Sequence, residues 1–514
     1  MPIQIKFLGG IAGSNLTGSC SLLTIKQGKR TLKVLFDAGL VQGGFRDSLE
    51  KNQEILNHIR PRDIDYVVLS HAHIDHIGRL PLLAKTGFTG RVICTDGTKS
   101  LLMTMLEDSA KIQMSEAGYL SSRLQKENFR SQNKDNSRLK LGNRDRLKRK
   151  RKIKKNVCQP LYTNRDVNTV EGLIKNGGYE YGVWIRLSHG VSLKFYPSGH
   201  VMGGGIVVFR IDGRPKPTYL CYSGDLGRED GIILPPPELV KEPLNHLVLE
   251  STYGGRTHPA RDEEIAKLLD LIRRAAKRRE RVIIPSFALE RSQEVIYLLS
   301  YYMNRGDIPT IPIYLDSPLG RRITSVFSDG WEKGMFSDQD RLGFNPFNPD
   351  NNRYFKIVTS QPESDDLIAT RGPYVVIAGS GMCDAGRVRG HLRANLSKSD
   401  TVVCLIGYMA ENSLGRRLKD GHYSVRMNKE EIKVNAEIIS FDSFSAHADG
   451  QFLASYAKRV LGRNRTERKQ VFLVHGDLRS AEDLREDLYD IFSTNQKKKI
   501  NVIIPKLNET QTII

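Results

Sequence analysis

The sequence SHAHIDHIG, residues 70–78, places three histidines and one aspartate within six positions. These four residues are His71, His73, Asp75 and His76. The apolar run YVVLS leads directly into them, which predicts a ligand-rich loop at the end of a buried strand. Imidazole and carboxylate groups are ligands of zinc and manganese, and such groups are seldom packed together without a task. The spacing therefore predicts a metal site.

Two further ligand-type residues follow other strand-like runs. His200 occurs in PSGHVMGGG and Asp225 in YSGDLGRED. With the first cluster they supply four histidines and two aspartates, which is more than one zinc ion uses. We therefore predict two metal ions that share a bridging carboxylate. Such a pair can activate water and stabilise both the attacking and the leaving oxygen of a phosphoryl displacement.

Composition indicates a folded protein with a polyanionic partner. The chain has 514 residues, of which 39% are hydrophobic and 26% charged, and this balance excludes fibrous and wholly disordered proteins. Lysine and arginine number 78 against 58 acidic residues, a net charge of +20. That excess suits nucleic acid or an anionic membrane surface.

The sequence predicts a cytoplasmic protein that is neither exported nor embedded in a membrane. No apolar run reaches the roughly 18 residues that span a bilayer, and the first residues do not follow the pattern of a signal peptide. The six cysteines are scattered and include no C-x-x-C pair. Neither a disulfide framework nor a thiolate zinc site is therefore expected.

Strand-like and helix-like segments predict an α/β fold. Short β-branched runs end in polar residues from residue 3 to about 92 and again from about 190, which predicts two sheets. From 255 to about 435 helices alternate with buried strands, which is typical of a parallel α/β domain. Its first helix has one apolar face, formed by Ile265, Leu268, Leu269 and Ile272. Strands resume after residue 436.

A basic insertion interrupts the first block at about residues 121–156. Between Ser121 and Lys155 it has 15 Lys or Arg against 3 acidic residues and no apolar periodicity. We expect the helix that begins near Lys99 to end at about Leu124. Two interpretations stay open, a solvated loop without a binding role and an arm that contacts a phosphate backbone.

Three later motifs, LESTYGG, FSAHAD and LVHGD, contain Glu250, His447 and His475. With the first cluster they make the chain resemble the β-CASP nucleases of the metallo-β-lactamase fold. That family includes the endonuclease subunit of the cleavage and polyadenylation specificity factor and bacterial RNA-processing exonucleases. The resemblance covers nearly the whole chain except the basic insertion.

The resemblance implies an α/β architecture, an αββα metallo-β-lactamase sandwich with an inserted parallel-sheet β-CASP cap domain. The first part of the metallo-β-lactamase domain is expected at residues 1–254, the β-CASP domain at 255–435, and the second part of the metallo-β-lactamase domain at 436–514. The active site is expected in the cleft between the two domains. No C-terminal dimerisation domain is expected beyond Ile514, and the oligomeric state stays open.

The resemblance also implies residue roles. One zinc ion is expected at His71, His73 and His200, and the other at Asp75, His76 and His475, with Asp225 bridging. The implied catalytic residues are Asp37, which supports the site, Asp75, and His447, which acts as a general acid oriented by Glu250. In GSGM, the backbone of Gly379, Ser380, Gly381 and Met382 is expected to contact a substrate phosphate.

The implied function is a zinc-dependent ribonuclease, with manganese as the alternative metal, that leaves a 5′-phosphate and a 3′-hydroxyl. Endonucleolytic and 5′-to-3′ exonucleolytic cleavage both stay open. RNA is the expected partner, and a ribosome or an RNA-processing complex is a further candidate. The alternatives are a small-molecule hydrolase of esters, thioesters or lactams, a DNA nuclease of the same fold, and a scaffold that binds RNA without catalysis.

Overall fold

A computed structural model of the chain describes residues 2–14, 16–136, 158–174, 178–213, 215–337, 339–407, 409–462, 468–492 and 500–513. Most of the predicted basic insertion, residues 137–156, therefore lies outside the described residues. Within the described part, none of the helices combines the length and the apolar character that crossing a bilayer requires.

The strands are β1 (Ile3–Gly9), β2 (Cys20–Gln27), β3 (Arg30–Phe36), β4 (Tyr66–Val68), β5 (Arg91–Ile93), β6 (Ile185–Ser188), β7 (Val191–Pro197), β8 (Gly205–Ile211), β9 (Thr218–Tyr222), β10 (His246–Glu250), β11 (Arg281–Pro285), β12 (Ile313–Asp316), β13 (Phe355–Ile357), β14 (Tyr374–Ala378), β15 (Thr401–Ile406), β16 (Ser424–Met427), β17 (Glu430–Lys433), β18 (Glu437–Phe441), β19 (Lys469–Val474), β20 (Ile500–Ile503) and β21 (Thr510–Ile513).

The α-helices are α1 (Phe45–Glu54), α2 (Ile74–Ile77), α3 (Leu80–Lys85), α4 (Asp96–Asn136), α5 (Asn164–Glu171), α6 (Arg261–Arg278), α7 (Arg291–Arg305), α8 (Pro318–Glu332), α9 (Gln361–Ala369), α10 (Val388–Asn395), α11 (Leu414–Lys419), α12 (Gly450–Leu461) and α13 (Leu478–Ile491). Short 3₁₀ turns occur at Ile55–Asn57, Pro61–Asp63, Gln339–Arg341 and Asp442–Phe444.

Contacts divide the chain into two compact units. The first comprises Met1–Cys94, Met105–Gly178 and Pro505–Ile514, and the second comprises Thr95–Thr104 and Tyr179–Ile504. The first unit contains a sheet in the order β21-β1-β2-β3-β4-β5, antiparallel from β21 to β3 and parallel from β3 to β5. Burial alternates over the first four residues of β1, as expected for a strand with one face on the core, and the last three residues are all buried.

The second unit contains two main sheets. One has the order β20-β19-β10-β9-β8-β7-β6, in which β20, β19, β10 and β9 are parallel neighbours. The other, ordered β13-β12-β14-β11-β15-β18, is parallel throughout. Every residue of β11, β14 and β15 is buried, which explains why these strands appear in the sequence as uninterrupted apolar runs.

The predicted α/β class is confirmed, and so is the parallel sheet. In α6, Leu268, Leu269 and Ile272 are buried as predicted from the apolar face. The parallel sheet also includes β18, which follows the predicted boundary at residue 435, and the division into domains stays a prediction.

The predicted end of α4 near Leu124 is wrong, because the helix continues through Asn136. The residues beyond Leu124 include glutamine, lysine, glutamate and arginine. These side chains favour a helix without needing an apolar face, so the loss of periodicity did not mark the helix end.

Candidate metal centre

The first candidate cluster lies where β4 leads into α2. The last two residues of β4 are buried, and the following loop carries His71 and His73 to the start of the helix, which carries Asp75 and His76. Nε2 of His71 lies 3.0 Å from Nδ1 of His73, and the ring centroids of His71 and His76 are 4.0 Å apart. The three imidazoles thus form one group, and Asp75 lies half-buried in the first turn of α2.

Asp37 supports this cluster through contacts with Ser70 and His76. Its fully buried carboxylate accepts hydrogen bonds from the backbone and side chain of Ser70 at 2.7 and 2.8 Å. The same carboxylate lies 2.7 Å from Nδ1 of His76, and the Ser70 hydroxyl lies 3.0 Å from Nδ1 of His71. A carboxylate or hydroxyl on one ring nitrogen orients a histidine and leaves its other nitrogen for a metal ion. In both histidines that remaining atom is Nε2.

Gly39 allows the chain to pass close to α2. A Cβ atom built on Gly39 would lie 1.6 Å from the carbonyl oxygen of Asp75. That carbonyl also accepts a hydrogen bond from the backbone N–H of Ser19 at 2.9 Å. The position of Asp75 therefore depends on the absence of a side chain at residue 39.

We predict that Gly39→Ala displaces the first turn of α2, destabilises the fold by about 2 kcal/mol and weakens metal binding. Thermal unfolding and zinc analysis of the purified protein would measure both effects. Gly44→Ala is the matched control, because a Cβ at residue 44 meets no atom within 4 Å. Wild-type zinc content and unfolding temperature in Gly39→Ala would contradict the prediction.

The second candidate cluster lies at the carboxyl edge of the sheet that contains β9, β10 and β19. These three strands are parallel neighbours, so residues at their ends meet at one edge. β8 is antiparallel to both β7 and β9, so β7 ends at the same edge. The residues that this topology brings together at or just after the strand ends are His200, Asp225, Glu250 and His475.

Asp225 is the centre of the second cluster. Its buried carboxylate lies 3.6 Å from Nε2 of His200 and 3.2 Å from Nδ1 of His475. One ligand atom of each of Asp225, His447 and His475 lies within 4.8 Å of the others. Imidazole nitrogens and carboxylate oxygens converging in this way fit a divalent metal ion such as zinc.

His447 lies beside this group and is held by a buried carboxylate. Nδ1 of His447 is 3.2 Å from Oε1 of Glu250, and the ring centroid of His447 is 4.5 Å from that of His200. Glu250 is fully buried, and it also accepts the backbone N–H of Leu226 at 2.8 Å, next to Asp225. The Glu250 carboxylate therefore both orients the ring of His447 and holds the backbone next to Asp225.

Three basic side chains hold the loop that presents His447. Arg228 donates to the carbonyl of Ser443 at 3.0 Å and Arg291 to that of Phe444 at 2.7 Å. Nε2 of His258 donates to the carbonyl of His447 at 2.9 Å.

The role of His258 could not be recognised in the sequence, and His258 is not among the candidate site residues named from it. Burial, helped by the charge of Arg228, lowers the pKa of His258 to about 4. The imidazole is therefore neutral near pH 7, with one N–H to donate to the His447 carbonyl. The segment TYGGRTH places His258 six residues after Thr252, but nothing in that spacing points to residue 447.

A second buried carboxyl group, that of Glu290, contacts the loop that follows His200. Glu290 accepts the backbone N–H of Met202 at 3.0 Å. Burial, with repulsion from the nearby Glu294, raises the pKa of Glu290 to about 8. The loop is thus anchored from α7, the helix that begins immediately after Glu290.

The GSGM segment follows β14, and some of its backbone groups form hydrogen bonds with neighbouring segments. The backbone N–H of Ser380 donates to the carbonyl of Ala385 at 3.2 Å, and the carbonyl of Met382 accepts the N–H of Gly415 at 3.0 Å. Gly381 packs closely against Phe287, since a Cβ at residue 381 would lie 2.8 Å from that ring. The phosphate contact stays a prediction.

Three families match successive parts of the chain. Residues 15–145 match the metallo-β-lactamase superfamily, and residues 292–418 match the Beta-Casp domain. Residues 431–505 match the Zn-dependent metallo-hydrolase RNA specificity domain.

Two relatives show how far the similarity extends. Ribonuclease TTHA0252 of Thermus thermophilus is 32% identical over 475 residues, which cover 91% of this chain and 92% of that protein. Transcription termination factor FttA of Pyrococcus horikoshii is 28% identical over 450 residues, which cover 85% of this chain and 61% of that protein. The match therefore covers nearly the full length of the first relative and about three fifths of the length of the second.

Proposed function

Because the chain belongs to the β-CASP family of metallo-β-lactamase-fold hydrolases, we propose that it is a metal-dependent ribonuclease that hydrolyses RNA phosphodiester bonds. The observation that carries the proposal is the buried carboxylate of Asp225, which lies 3.6 Å from Nε2 of His200 and 3.2 Å from Nδ1 of His475. RNA as substrate is supported by the match to an RNA specificity domain and by the relative named as a ribonuclease.

The proposal includes two zinc ions per chain, held by the seven ligand residues inferred from the sequence. These residues are His71, His73, Asp75, His76, His200, Asp225 and His475. Bound zinc would supply Lewis-acid stabilisation of phosphate oxygens and would lower the pKa of a bound water. The contacts of Asp37 with Ser70 and His76 support the assignment, because they orient the ligand side chains.

His447 donates a proton to the leaving oxygen in this mechanism. Its Nδ1 is occupied by Glu250 at 3.2 Å, so Nε2 is the atom that moves the proton. The buried carboxylate of Glu250 stabilises the protonated ring and fixes its tautomer. The side chain of His447 is 20% exposed, so the ring can reach a bound substrate.

The charge of the chain favours the same substrate. A net charge of +20 attracts a phosphate backbone and speeds association at low salt.

We propose products with a 5′-phosphate and a 3′-hydroxyl. We also propose a cytoplasmic location, because the six cysteines form no disulfide bond in the part of the chain that the structure describes. A ribosome or an RNA-processing complex would be a compatible partner.

The test is cleavage of single-stranded RNA labelled either at the 5′ end or internally, with and without a chelator. We expect metal-dependent cleavage that Asp75→Ala abolishes and that the matched control Asp350→Ala, at an exposed carboxylate, retains. Mononucleotide products would identify an exonuclease and discrete fragments an endonuclease. Bound zinc without cleavage of any RNA would contradict the proposal and favour a small-molecule hydrolase.

A further inference from the structure

Phe287 lies in the loop between β11 and α7 and exposes a large apolar ring. The residue is 40% exposed, whereas Ser286 before it and Leu289 and Glu290 after it are buried. A single exposed apolar residue is common on a protein surface and needs no explanation by itself. Phe287 differs from such residues in the contacts that fix its position and in the place of its loop beside the candidate metal centre.

Three side chains hold the backbone of this loop. The carbonyl of Phe287 accepts the hydroxyl of Ser286 at 3.0 Å and that of Ser292 at 2.8 Å. The next carbonyl, that of Ala288, accepts the side-chain amide of Gln293 at 3.1 Å. A ring on a backbone that is already ordered loses little conformational entropy when it binds a ligand.

The ring of Phe287 packs against the backbone of the GSGM segment. A Cβ atom on Gly381 would lie 2.8 Å from Cδ2 and 2.9 Å from Cε2 of this ring, so only glycine leaves room for the contact. Gly379 and Ser380 in the same segment are half-buried, so accessible polar backbone adjoins the exposed part of the ring. An apolar face next to polar groups matches a nucleobase, which has a flat aromatic face and a polar edge.

The loop of Phe287 contacts the loop that follows His200. Glu290 is three residues after Phe287, and its side chain accepts the backbone N–H of Met202, two residues beyond His200, at 3.0 Å. Three residues span at most about 11 Å, so the Cα atoms of Phe287 and Glu290 lie no farther apart than that. All of these residues belong to the second unit. The exposed ring is therefore close to the loop of His200.

The same turn also contacts the loop that presents His447. Arg291, the first residue of α7, donates to the carbonyl of Phe444 in that loop at 2.7 Å. Glu290 has a φ of 72°, which is unfavourable for a residue other than glycine. Such a conformation persists where the surrounding contacts determine it. The turn is thus held in one conformation, with Phe287 on its exposed side.

The chemistry of the ring indicates which part of an RNA strand it would contact. RNA that is cleaved at the candidate metal centre must pass close to His200 and His447. Phenylalanine has no charge and no hydrogen-bonding group, so it offers nothing to a phosphate. Its ring can stack on a base that is not paired in a double helix.

We propose that Phe287 stacks on one base of the RNA strand, within a few nucleotides of the bond that is cleaved, and thereby positions the strand at the candidate metal centre. The inference rests on the proposed function for the identity of the strand. Every base has an aromatic face, so the contact increases affinity for single-stranded RNA without selecting a sequence.

Binding of RNA to the zinc-loaded, full-length chain tests this contact without requiring catalysis. The probe is a fluorescein-labelled RNA of twelve nucleotides with phosphorothioate linkages, followed by anisotropy at several salt concentrations. Phe287→Leu keeps an apolar side chain but removes the ring, and we expect its Kd to rise about five- to thirtyfold. The slope of log affinity against log salt should stay at the wild-type value, because a stacked base releases no counterion.

Two further variants are controls. Phe287→Tyr keeps the ring, so its Kd should stay within about twofold of the wild-type value. Tyr423→Leu removes an exposed aromatic ring elsewhere in the second unit and should change neither the Kd nor the salt slope. The zinc content of all three variants should equal that of the wild type.

An RNA series in which one nucleotide at a time lacks its base locates the contact. The wild type should lose affinity when the base that meets Phe287 is removed, and Phe287→Leu should lose no more affinity at that position. Wild-type affinity in Phe287→Leu, a changed salt slope, or equal losses in the two proteins at every position would overturn the inference. A position-specific difference in a chain that cleaves no RNA would retain the inference and reject only the ribonuclease.

Discussion

His447→Ala should lower the rate of RNA cleavage by about 10²- to 10⁴-fold while the zinc content stays at the wild-type level. Nδ1 of His447 is bound to Glu250 at 3.2 Å, which leaves Nε2 as the proton donor to the leaving oxygen. Without that proton the 3′-oxygen must depart as an alkoxide, which is a poor leaving group. The expected loss is therefore in kcat, with little change in KM.

A change of leaving group separates proton donation from a structural effect. p-Nitrophenolate departs without a proton, so hydrolysis of a p-nitrophenyl phosphodiester should fall far less in His447→Ala than cleavage of RNA. His422→Ala, at an exposed histidine, is the matched control and should affect neither substrate. Equal losses on both substrates at normal zinc content would rule out the general-acid role.

Asp225→Asn should remove most of the bound metal and lower activity by at least about 10³-fold. Asp225 is buried and lies within 3.6 Å of His200 and 3.2 Å of His475. An amide is a weaker metal ligand than a carboxylate, and it cannot bridge two cations as a carboxylate does. Zinc analysis by mass spectrometry and initial rates on RNA would measure the two effects.

The stability of the metal-free protein distinguishes metal loss from misfolding. A ligand that binds only the folded state at 100 times its Kd stabilises that state by about 2.7 kcal/mol. Zinc should therefore raise the unfolding temperature of the wild type and of the exposed control Asp350→Asn, but not that of Asp225→Asn. In the absence of metal, Asp225→Asn should unfold no earlier than the wild type, because a buried carboxylate is costly to desolvate. A zinc response equal to that of the wild type would contradict the assignment of Asp225.

The grouping of the first cluster could be predicted because its residues are close together in the chain. A buried strand followed by a short loop keeps His71, His73 and His76 near one another whatever the rest of the fold does. The parallel sheet was predictable for a similar reason, since strands buried on both faces appear as apolar runs. The end of α4 was not predictable from periodicity, because its last turns are formed by residues that need no apolar face.

The contacts that support the candidate site could not be predicted from the sequence. Asp37 and Ser70 are 33 residues apart, and His258 and His447 are separated by 189 residues. Such contacts form only when the strand ends and loops that carry the two residues are brought together. The order of strands in a sheet decides this, and that order depends on the whole chain. His258 is an ordinary histidine in the sequence, and only the loop of His447 beside it gives its N–H a function.

The chemistry of the candidate site can be read from residue types and short spacings, since imidazole and carboxylate groups bind metal ions wherever the backbone brings them. Folding decides which nitrogen of each ring is available, which carboxylates are buried as supports, and where charge accumulates. Glu250 illustrates this difference, because only the fold places its buried carboxylate 3.2 Å from Nδ1 of His447, a residue 197 positions away in the chain.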